Sequence, residues 1–109
     1  MPIEFVAAGS PRDLSRAIEE FAHGQGSVTA IVVPWESSAT RLTMSVTSVR
    51  ADGWAIEHTN LGTITLTDVG GDATGVSITP SAPDHAEGRQ LSALFERFAR
   101  ELRDRFAST

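Results

Sequence analysis

His58 is the side chain of this 109-residue chain best suited to moving a proton near neutral pH, and the only one of its three histidines placed in a strand-like, apolar context. A neutral imidazole among apolar neighbours orients a ligand or acts as a general base. The same residue also serves as a satisfied core or rim histidine. Arg50, Trp54 and Asp68 form a second group: an arginine and an aspartate flanking an indole make a polar mouth with a stacking wall, or they simply close the end of a core. No Ser/His/Asp arrangement assembles, because His23 and His85 fall in Gly-rich and Pro-rich loops. The histidines lack paired ligand spacing, and the absence of cysteine removes thiolate catalysis, disulfides and Cys-based zinc sites. No catalytic residue is assigned, and neither a metal nor a cofactor is expected.

These side chains need elements to hold them. The pattern predicts a first strand over 3 to 8, ending at Gly9. Ser10 then caps a helix that Pro11 opens, since a Ser hydroxyl accepts from an orphan N–H and Pro has none to orphan. Leu14, Ala17, Ile18, Phe21 and Ala22 are its apolar stripe, and Gly24 with Gly26 ends it after about three turns. From Ser27 the period becomes two, predicting five strands over 27 to 35, 40 to 50, 54 to 59, 63 to 69 and 73 to 79. Three-residue turns are read at 51 to 53, 60 to 62 and 70 to 72, each with a glycine able to adopt positive φ. Pro80 and Pro83 break the ladder, and Asp84 with Glu87 opens a last helix in a capping-box pattern. Along it Leu91, Leu94, Phe95, Phe98, Leu102 and Phe106 recur at helical spacing, while Glu96 with Arg100 and Glu101 with Arg105 lace the outside.

Closing each turn on its flanking residues gives mutually consistent registers. One face then reads Val46, His58, Ile64, Ile78, next Ser48, Ile56, Leu66, Val76, and at the end Arg50, Trp54, Asp68, Thr74. The other face is mostly Thr and Ser. The pattern is that of an antiparallel sheet covered on one side, so the expected fold class is α+β, a curved antiparallel sheet packed on a long C-terminal helix. The strand over 27 to 35 differs because both of its faces are apolar. Val28, Ala30 and Val32 point one way, and Ile31, Val33 and Trp35 the other. Either the second set meets another subunit, giving a homodimer, or the strand is tucked into sheet curvature or under a loop.

The order strand, helix, strand meander, C-terminal helix is similar to that of the START-like (SRPBCC, helix-grip) superfamily, which includes polyketide cyclases and lipid-transfer domains. The run Trp54-Ala55-Ile56-Glu57-His58 and the run from Gly62 to Val76, with its Gly70-Gly71-Asp72 turn, resemble two central strands and a turn of that family. Only one helix fits between the first strand and the meander, where the family usually has two. The resemblance implies an apolar small molecule held between sheet and last helix, and the row reading puts Arg50, Trp54, His58, Asp68, Phe95 and Phe98 on the surfaces that would hold it. It carries over no catalytic motif.

Length and a 40% apolar content suit a single domain spanning 1 to 109. The net charge of -5 is uneven: residues 1 to 88 carry four Arg against eleven acids, and 89 to 109 five Arg against three. An acidic body with a mildly basic last helix argues against nucleic acid, which needs a basic face. No apolar run approaches twenty residues and no signal-peptide layout opens the chain, so a cytoplasmic protein without membrane insertion is expected. Three functions are compatible: a small-molecule binder, a self-associating module using the surface of 27 to 35, and an acid-base enzyme using His58 with Asp68 or Arg50.

Overall fold

The structure, a computed structural model, describes residues 3–26, 28–38, 40–52, 55–80 and 88–107, and for 49–52, 55–59 and 88–92 it describes the backbone alone. Strand β1 (Ile3–Ala8) leads into helix α1 (Pro11–Gln25), followed by β2 (Val28–Val32), a 3-10 turn (Pro34–Glu36), β3 (Arg41–Asp52), β4 (Ala55–Gly70), β5 (Ala73–Pro80) and helix α2 (Gly88–Phe106). The sheet is antiparallel throughout, in the order β1-β5-β4-β3-β2. Consecutive strands pair from β2 to β5, and β1 returns to the far edge beside β5. The fold class is therefore α+β.

Helix α1 begins as its sequence dictates. The Ser10 hydroxyl accepts the Asp13 N–H at 3.2 Å, Pro11 is the first helical residue, and Gly26 closes the helix with φ 78°. At 15 residues it is a turn longer than expected, running through Gly24 to Gln25. α1 lies mainly along β2, and α2 lies over β1, β4 and β5. Both cover the same face. Leu14, Ile18 and Ala22 from α1 and Phe95, Phe98, Ala99 and Leu102 from α2 join Met44, Val46, Ile64, Leu66, Val76 and Ile78 in one buried cluster. The sheet's other face carries Thr43, Ser45, Thr65, Thr67 and Ser77, none of them fully buried.

Two expectations about the strands are corrected. The meander after α1 has four strands, not five, because Asn60-Leu61-Gly62 is not a turn. It is a bulge inside the 16-residue β4, where Val46 pairs with Gly62 and Thr47 with Asn60, leaving Leu61 unopposed. Leu61 is buried and the Asn60 Oδ1 accepts the Gly62 N–H at 3.0 Å, so the extra residue serves the core. The strand expected over 27 to 35 stops at Val32, because Pro34 cannot donate to a ladder and starts the 3-10 turn that holds Trp35.

Pairing beyond the bulge is shifted as well. Ile64 with Ile78, Leu66 with Val76, Asp68 with Thr74 and Thr65 with Ser77 pair as expected. On the other side of β4, however, His58 opposes Val49 and Arg50 opposes Glu57, because β3 and β4 pair out to Asp52 with Ala55, past the point where the turn was expected to begin. The expected row of Val46, His58 and Ile64 does not form: Met44 opposes Ile64. A turn of different length and one inserted residue are enough to change which residues share a row. The Asp84 and Glu87 capping pattern lies outside the described residues.

Candidate functional site

β2 pairs with β3 only as far as Val28 with Ser48, and β5 pairs with β4 only as far as Pro80 with Gly62. Residues Val49–Asp52 and Ala55–His58 therefore pair with each other and, among the described residues, with no third strand. This two-stranded arm carries Arg50 and His58 on its backbone, and Trp54 lies outside the described residues. The molecule is accordingly elongated, 46 × 25 × 24 Å.

Asp68 is not part of that group. It sits at the opposite end of β4, where its Oδ1 accepts the Gly70 N–H at 2.9 Å and its own N–H donates to the Thr40 carbonyl at 2.8 Å. Eleven residues of extended strand separate it from Glu57, the partner of Arg50, or roughly 36 Å along β4. The expected mouth of Arg50, Trp54 and Asp68 is thus not assembled, and Asp68 shapes the β4–β5 turn. That turn follows with Gly70, Gly71 and Asp72 all at positive φ.

Phe95 and Phe98 do lie between sheet and helix, and they fill the space they face. Each is 3% exposed. Phe95 sits on Gly62, so closely that a Cβ there would fall 2.5 Å from the ring's Cζ. The Phe98 ring centroid is 5.7 Å from that of Phe21, which meets Phe106 edge-on at 6.1 Å. The Arg105 guanidinium lies over both Phe21 and Phe106, 5.7 and 6.0 Å from the ring centroids. It does not pair with Glu101, which instead lies 4.0 Å from Arg97, whereas Arg100 and Glu96 pair at 2.6 Å as expected.

The open side of the molecule is the outer sheet face. Among the described residues the large exposed apolar side chains are Val6 (46%), Ile31 (54%), Trp35 (85%) and Val69 (56%), and none belongs to α1 or α2. Val33 is half-buried, so of the expected interface set Ile31 and Trp35 are the freely accessible members. β2 is an edge strand of the sheet, with Val28 and Ala30 buried on the face that α1 lies against. A depression of about 460 Å³ opens on the outer face across β1, β5 and β4, lined by Glu4, Val6, Thr65, Thr67, Gly75 and Ser77. Gly75 lines it opposite Val6, and a Cβ at that position would come within 3.3 Å of the Val69 methyl. Nothing in a single strand's alternation points to such a hollow. The signal was a glycine in mid-strand, whose neighbours become visible only once three strands are in register.

No group of three or more possible metal-ligating side chains gathers among the described residues, and none of their helices is long and apolar enough to cross a membrane. No protein-family model, curated protein or solved structure matches the chain.

Proposed function

We propose that this chain is a non-catalytic interaction module whose contact surface is the outer sheet face, with Ile31 and Trp35 as its apolar anchors. One observation carries this: the large exposed apolar side chains among the described residues lie on the sheet and the turn after β2, while the helices present charged residues to solvent. Solvated apolar groups gathered on one side mark an interaction surface, whereas scattered ones need no explanation. A dilution series of nitrogen-labelled protein tests it. Amide resonances of Val6, Ile31, Thr67 and Gly75 are expected to move together with concentration while those on the outer turns of α1 stay fixed. Resonances unmoved up to high micromolar concentration would contradict self-association.

A second proposal is a START-like protein that holds a small apolar or aromatic molecule with Arg50, Trp54, His58, Phe95 and Phe98. It is supported by the helices sharing one sheet face and by the β3–β4 arm, which carries Arg50 and His58 away from the root marked by Gly62 and Phe95. Since the described part of the interlayer is packed, a guest would sit along the arm and not under Phe98. Native mass spectrometry of freshly purified protein is the test: a retained mass lost in Trp54→Ala supports it, and a bare chain after gentle isolation counts against it. Acid-base chemistry pairing His58 with Asp68 is not proposed, because ten residues of strand separate them.

A further inference from the structure

Building on the self-association reading, we infer that the occupant of the outer face is a second copy of this chain, with Trp35 of each copy seated in the depression over Gly75 of the other. Three features support it. The first is position. Arg41, Thr67, Gly75 and Val6 form one row across β3, β4, β5 and β1. Val33 donates to the Thr43 carbonyl and Thr43 donates through its hydroxyl to the Glu36 carbonyl, which brings the Trp35 turn to that end of the sheet. Knob and hollow therefore lie near one level, three strand spacings apart, about 14 Å.

The second feature is symmetry. A two-fold axis parallel to the strands, running between β3 and β4, lays β2 of one copy over β5 of the other and β3 over β4. Both tryptophans then reach both hollows in one closed, isologous contact with aligned sheets. The third is charge. A chain of net charge -5 repels its copy over most of its surface, yet the overlapping strands present Ile31, Thr43, Ser45, Thr65, Thr67 and Ser77. Glu4, on β1 beyond the overlapping strands, lines the hollow that receives Trp35. Among the described side chains of the four overlapping strands, Arg41 meets its symmetry mate beside the axis. Four strands by about six residues overlap over roughly 400 Å² of projected sheet on each copy, the small end of specific interfaces, so the dimer is a weak one.

Trp35 becomes the only indole in Trp54→Phe protein, and its emission reports the contact. The emission is expected to shift to the blue as concentration rises to high micromolar, in step with dimer formation by sedimentation. Gly75→Leu, which fills the hollow without touching β2, abolishes both, and Arg41→Ser strengthens both. Thr67→Arg, at an exposed position on the hollow's rim, gives the same loss if Gly75→Leu does not fold. A dimer that forms with Trp35 emission unshifted, or that survives both Gly75→Leu and Thr67→Arg, overturns the Trp35 contact while leaving self-association standing. A monomer at every concentration overturns both.

Discussion

Gly62 is the seat of Phe95: a Cβ at position 62 would lie 2.5 Å from the ring's Cζ and 2.5 Å from the Thr79 carbonyl oxygen. The bulge at Leu61 and the ring of α2 therefore occupy one notch of the sheet. Gly62→Ala is expected to cost roughly 1 to 3 kcal/mol in urea unfolding, as overpacking a close-packed interior does. Adding Phe95→Leu recovers only part of this, because the contact with the Thr79 backbone remains. An unchanged midpoint in Gly62→Ala would mean that α2 does not rest there.

The pairing of Phe21 with Phe98 ties α1 to α2. Phe98→Ala removes a ring that is almost wholly buried and is expected to cost about 3 to 5 kcal/mol. A double-mutant cycle with Phe21→Ala should return a coupling of about 0.5 to 1.5 kcal/mol. Strict additivity would place the two rings in separate surroundings.

Thr74 is buried at the β4–β5 turn and donates its hydroxyl to the Gly9 carbonyl at 2.7 Å, holding the β1–α1 turn against the hairpin. Thr74→Val keeps the shape and strands that carbonyl, at an expected cost of roughly 1 to 3 kcal/mol. Thr74→Ser should retain the bond and lose mainly the methyl contact. Equal losses in both variants would show that packing, and not the hydrogen bond, matters there.

Much of this fold is legible in local sequence. Ser10 and Pro11 fix the start of α1 because capping chemistry is local, and β4 with β5 pairs as read from Asp68 with Thr74 onward, while at the turn Gly70 pairs with Ala73 and the register shifts at Val69, where a three-residue turn at 70 to 72 was expected. What escaped depends on tertiary context. Asn60-Leu61-Gly62 has turn-like composition, but an apolar Leu at its centre is better buried, and β3 provides continuous pairing on both sides of it. The candidate site shared that error, since the row that was to hold His58 rested on a turn at 60 to 62 and on a three-residue turn at 51 to 53. Pro34 could have shown that β2 stops early. The hollow over Gly75 could not have been found without the register of β1, β5 and β4 together.

Sedimentation equilibrium at high micromolar concentration, comparing the natural chain with Trp35→Glu and with Glu20→Lys on the exposed side of α1, tests most directly that the outer sheet face is where this molecule meets its copy. The proposed self-association predicts a monomer–dimer equilibrium in the natural chain and in Glu20→Lys, and a monomer in Trp35→Glu. Monomers throughout, or a dimer indifferent to Trp35→Glu, would contradict it.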